Sequence, residues 1–101
     1  MKKLEHNGKV AVVYSPGFGA GWSTWASNKE GMCMDADIAQ AVLDGDNKKA
    51  VEIAKQKFPD EYVSGDNLSI AWVPKGEEFE IREYDGYESV IIISQNKYMR
   101  A

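Results

Sequence analysis

An apolar run, Val10-Ala11-Val12-Val13-Tyr14, halts at Pro16-Gly17 and opens into a glycine- and tryptophan-rich stretch. That stretch is Ser15-Pro16-Gly17-Phe18-Gly19-Ala20-Gly21-Trp22-Ser23-Thr24-Trp25. A nearly continuous β-branched run predicts a strand over residues 9–14 covered on both faces. Residues 15–34 after it follow neither the strand period nor the helix period. A connection of that length without its own structure is uncommon inside a compact domain and tends to be functional. Glycine tolerates positive φ and close approach to another group. An indole offers a large apolar face with one N–H to place.

The rest of the chain reads in ordered pieces. Asp35 predicts the cap of a helix starting near Ala36, with Ile38, Ala39, Val42 and Leu43 as its apolar stripe and Gly45 as its stop. Asp46 recaps at once for a second helix to about Phe58, burying Ala50, Val51, Ile53, Ala54 and Phe58 before Pro59. Lys48, Lys49, Lys55 and Lys57 read as its solvated side. Alternation predicts strands at 68–73, at 78–84 with Phe79 and Ile81 inward, and from Tyr87 to Ile93. Asp85-Gly86 is a strong hairpin turn between the last two, setting Tyr84 against Tyr87 and Glu83 against Glu88. The expected fold class is α+β. It is one small domain, residues 1–101, with a mostly antiparallel four-stranded sheet and a helical hairpin on one face, in the order β-α-α-β-β-β.

Composition narrows the function. The net charge of −4 weighs against a nucleic-acid binder, which draws most of its affinity from basic surface. No apolar stretch approaches the roughly 20 residues that cross a bilayer. The start of the chain, Met1 to Gly8, lacks the apolar core of a signal peptide, and Cys33 is the sole cysteine. The expectation is a cytoplasmic protein without membrane or nucleic-acid partners.

Known site patterns fit poorly. Gly17, Gly19 and Gly21 follow a strand, but no Gly-Lys-Ser/Thr ending and no dinucleotide spacing accompanies them. His6, in an N-terminus expected to fray, is the only histidine, so Ser/His or Cys/His chemistry has no supplier. One cysteine and one histidine make no zinc site, and the acidic residues miss calcium-loop spacing. Cys33, between Met32 and Met34, reads as a buried thiol. No metal and no cofactor is expected.

Three readings remain. The first is a non-catalytic protein that binds a small nucleotide-like ligand. Ser15, Gly17, Phe18, Glu88 and the glycine amides of Gly19 and Gly21 would surround it, anion against the amides, with Trp22 or Trp25 stacking and Arg82, Glu83 and Tyr84 on ribose or phosphate. The competing structural reading is a bulged loop whose indoles cap the core. Glu83 and Glu88 face each other as like charges, which calls for a further partner, Arg82 within the chain or a ligand hydroxyl or amino group such as a ribose diol; the competing reading is an exposed hairpin tip with a solvated face. The second reading is a module docking on a protein through Phe18, Trp22 and Trp25. The third is an enzyme dividing acid and base roles between Glu83 and Glu88. A site this large on so short a chain leads us to expect a homo-oligomer.

Two stretches carry a resemblance. Val13-Tyr14-Ser15-Pro16-Gly17-Phe18-Gly19-Ala20-Gly21-Trp22-Ser23-Thr24-Trp25 is the first. The second runs Trp72-Val73-Pro74-Lys75-Gly76-Glu77-Glu78-Phe79-Glu80-Ile81-Arg82-Glu83-Tyr84-Asp85-Gly86-Tyr87-Glu88-Ser89. Together they resemble an uncharacterised family of small phage and bacterial proteins over nearly the whole chain. The chain departs from that pattern at Ala26-Ser27-Asn28-Lys29, where a less basic segment is expected. The resemblance implies phage or prophage origin and supplies no site residues. Small non-enzymatic phage proteins often act against host defences, and some sequester nucleotide signals as oligomeric sponges, an analogy of class.

Overall fold

The computed structural model describes residues 2–16, 22–24, 26, 28–61, 63, 67–84 and 87–93. Its elements are β1 Glu5–His6, β2 Lys9–Tyr14, α1 Lys29–Met34, α2 Ala36–Leu43, α3 Asn47–Lys57, β3 Ser69–Pro74, β4 Phe79–Tyr84 and β5 Tyr87–Ile92. The fold is α+β with antiparallel sheets.

β2 is the centre. Val10, Ala11, Val12 and Val13 are all buried, because its two faces meet different layers. Ala11 and Val13, opposite Trp72 and Ile70 of β3, face a cluster with Ile38 and Ala39 of α2 and Ala50 and Ala54 of α3. Val10 and Val12, opposite Val73 and Ala71, face Phe79 and Ile81 of β4 and Val90 and Ile92 of β5. The expected four-stranded sheet is therefore two sheets, β1-β2-β3 and β4-β5, the hairpin lying across the face of the first. Both hairpin strands carry one apolar face, and layering buries that face where an edge-on extension would leave it in water. A backbone bond still ties the layers where β2 ends, from Glu88 N–H to Ser15 O at 2.7 Å.

The two main helices start where expected. Asp35 Oδ2 accepts from the amides of Asp37 and Ile38, both at 3.1 Å, and Asp46 Oδ1 accepts from that of Lys49 at 3.1 Å. Gly45 takes the left-handed conformation, φ +77°, that closes α2. Small Ala39, Ala41, Ala50 and Ala54 are buried between helices and sheet, whereas Leu43, expected in the stripe, is exposed. The N-terminus is not frayed. Asn7 and Gly8 have φ of 51° and 76°, the conformation of a tight hairpin turn, and pair His6 with Lys9. The His6 ring lies 6.1 Å from that of Trp72, centroid to centroid.

Lys57 departs from the solvated lysine face. Its Nζ lies 2.9 Å from Asp35 Oδ1 and 2.7 Å from Asp37 Oδ2, clasping the end of α3 to the start of α2. Hydrogen bonding to Lys57 lowers the Asp37 pKa, and bonds to Asp37 and Asp35 raise that of Lys57. A depressed carboxylate adds stability above its unfolded value, about 3.9, and loses it as pH falls through the folded value. A raised ammonium adds stability below about 10.4 and loses it as pH rises through the folded value. Lys57→Met should therefore separate from the wild type most widely between about pH 5 and 9 and converge with it in acid. Urea midpoints across that range check this, and a gap that widens in acid would refute it.

Candidate functional site

The site begins with strand parity. On β5, Glu88 is in phase with Val90 and Ile92, so it points inward with them. On β4, Glu83 is in phase with Phe79 and Ile81. The expected register holds, with Glu83 opposite Glu88 and Tyr84 opposite Tyr87. Glu88 is only 3% exposed, and its carboxylate has found donors. Oε1 accepts from the Ser15 amide at 2.9 Å, and Oε2 from the amides of Ser23 and Thr24, both at 3.0 Å. Thr24 Oγ1 also donates to Oε2. One carboxylate thus gathers both ends of the 15–24 segment. An ionised carboxylate is acceptor-only and can satisfy this many N–H and O–H groups at once.

Amides at this loop do meet an anion, and that anion belongs to the protein. Ser15, Ser23 and Thr24 give their N–H groups to Glu88, so neither Ser15 N–H nor the Glu88 carboxylate is presented to a ligand. Trp22 is also inward. It is 3% exposed, in the cluster behind the helices, and its Nε1–H donates to Met32 O at 2.7 Å. That carbonyl lies in the last turn of α1, where backbone acceptors have no intrahelical partner. Trp22 therefore seals the end of α1, where the sequence reading had it stacking on a ligand or docking on a partner. Gly17, Phe18, Gly19, Gly21 and Trp25 lie outside the described residues.

Arg82 and Tyr84 sit on the hairpin's other face. Arg82 reaches Glu80 Oε1 through Nε and Nη2, both at 2.6 Å, because i and i+2 share a face. Tyr84 is 80% exposed at the hairpin tip. Strand alternation thus separates these two from Ser15, Trp22 and Glu88.

Beside the latched loop lies a cleft of about 410 Å³ between α1 and β4. Cys33, Met34, Phe79 and Ile81 form its apolar wall, and Ser23, Thr24, Lys29, Glu30 and Glu80 its polar border. α1 starts at a cap the sequence reading missed, Asn28 Oδ1 accepting from the Gly31 amide at 3.0 Å. Gly31 lets the helix lie against Phe58, since a Cβ there would stand 2.7 Å from the ring. Asn28 ahead of Gly31 and Met32 was the readable signal for this short helix. Nothing in the pattern marked Lys29, Glu30 or Phe79 as neighbours across a cleft.

Two buried polar groups beside this cleft stand out. Ser23 is 1% exposed, and its Oγ has no hydrogen-bond partner among the described residues. The Cys33 thiol, donating weakly to Glu30 O at 3.7 Å, is pushed up to about 12, chiefly by burial. It stays protonated, and a thiol is a poor nucleophile. Iodoacetamide at pH 8 should leave Cys33 unmodified in the native protein and label it fully in urea. Fast native labelling would contradict its burial.

Among the described residues no group of three or more histidine, cysteine or acidic side chains could hold a metal, and no helix is long and apolar enough to cross a membrane. The chain matches no family model, no curated protein and no solved structure.

Proposed function

We propose that this chain is a non-catalytic binding protein that sequesters a small nucleotide-derived ligand in the cleft between α1 and β4. The carrying observation is a cleft of about 410 Å³ whose apolar wall is bordered by Ser23, Thr24, Lys29, Glu30 and Glu80. Pockets of roughly 300–1,000 Å³ with an apolar lining and a few placed polar groups are the usual form of a small-molecule site. The wall is preformed, because Glu88 fixes Ser23 and Thr24 through their amides.

Binding is favoured over acid–base chemistry by the same carboxylate. A catalytic Glu88 would need an oxygen open to substrate, and both of its oxygens already accept from the loop. The reading of a module docking on a host protein loses Trp22, a buried ring. We place the protein in a host cytoplasm, as a phage-type homo-oligomer acting against a nucleotide-signalled defence, in keeping with the family resemblance. Calorimetric titration with cyclic nucleotides, ADP-ribose and nucleoside monophosphates tests the binding, and native mass spectrometry tests the assembly. Saturable heat with no turnover of the bound compound is expected. Silence across the whole panel would remove the proposal.

A further inference from the structure

We infer that the cleft takes a nucleoside monophosphate, its base against Phe79 and Met34 and its phosphate on Lys29. This rests on the sequestration reading and narrows it to one ligand class and one pose. Phe79 on the inner face of β4 and Met34 on α1 give a flat, polarizable wall suited to a π system. Cys33 beside them is neutral, so the wall carries no charge against a base.

The border sets the polar end. Lys29 is the cation among the lining residues, and it makes no ion pair among the described residues. Glu80 has its charge answered by Arg82. Glu30, next to Lys29, is an acceptor suited to sugar hydroxyls and would repel a second phosphate. One available cation beside one carboxylate fits a single phosphate on a diol-bearing sugar.

The test is a nuclear magnetic resonance titration of the full chain with AMP, GMP, CMP and UMP, each against its nucleoside. At least one monophosphate should shift the amides of Ser23, Thr24, Lys29 and Ile81 saturably and bind on the order of fivefold tighter than its nucleoside, the size of one exposed charge contact. Lys29→Gln should erase that difference. Equal binding of nucleotide and nucleoside, insensitivity to Lys29→Gln, or shifts centred away from the cleft would overturn the pose. Sequestration would survive those results if any compound of the calorimetric panel binds. No saturable shift with any of the four monophosphates overturns the inference, and sequestration falls with it only if the rest of that panel is silent too.

Discussion

Glu88→Ala should cost about 3–5 kcal/mol of folding stability, the range seen when a buried, hydrogen-bonded charge loses its partner. The substitution strands the amides of Ser15, Ser23 and Thr24 and the Thr24 hydroxyl in a part of the protein from which water is largely excluded. At about 4–8 °C per kcal/mol for a domain of this size, the melting temperature should fall by more than about 12 °C. Glu88→Gln is the more instructive variant. It keeps the shape and one acceptor oxygen but turns an NH₂ toward groups that are themselves donors. It should recover less than half of the loss. In both variants the amides of Ser23 and Thr24 should exchange with solvent far faster, while those of α3, which Glu88 does not touch, slow or quicken only with global stability. A Glu88→Ala protein within 1 kcal/mol of the wild type would show that the carboxylate does not organise the loop ends.

Parity was the part of this site most legible in the sequence. Tyr87-Glu88-Ser89-Val90-Ile91-Ile92 places Glu88 in phase with Val90 and Ile92, so inward burial follows once those two are known to face the core. A solvated hairpin tip was the competing reading, because a carboxylate in an apolar row looks like an exposed residue until its donors are known. Those donors lie 64 to 73 residues earlier in the chain, a separation no local pattern encodes. The helix caps at Asp35 and Asp46, the stop at Gly45 and the double coverage of β2 were readable because each depends on residues within a few positions. The division into two sheets was not. Alternation shows which side of a hairpin is apolar, not whether that side meets an edge or a face. The turn at Asn7-Gly8 was a local signal that ran against the expectation of a frayed N-terminus.

The cleft follows from that layering. Its two walls come from α1, inside the stretch that showed no period, and from β4, about fifty residues away. Single residues there had no reason to stand out: Lys29 and Glu30 look like a helix surface, and Phe79 looks like core. Only the crossing of the hairpin over β2 brings them to one opening, with Ser23 fixed between them by Glu88.

Trp22→Ala is the second large effect expected. The ring is 3% exposed and packs with Val13, Met32, Ala39 and Leu68 in one cluster, so truncation should cost about 3–5 kcal/mol, as for other buried aromatic residues. Trp22→Phe separates packing from hydrogen bonding. It retains much of the apolar surface and removes the N–H that meets Met32 O, so about 1–3 kcal/mol should go with that bond and the leftover space. Because Met32 belongs to the Trp22 cluster and adjoins the cleft residues Cys33 and Met34 on the same helix, the Phe variant should also loosen α1. Iodoacetamide labelling of Cys33 reads that loosening directly, at urea concentrations well below global unfolding. Urea midpoints of Trp22→Ala near those of the wild type would mean that the indole is not a core element. The loop would then regain its ring as a surface for partners, and the argument that turns the site from the glycine stretch to the cleft would lose its footing.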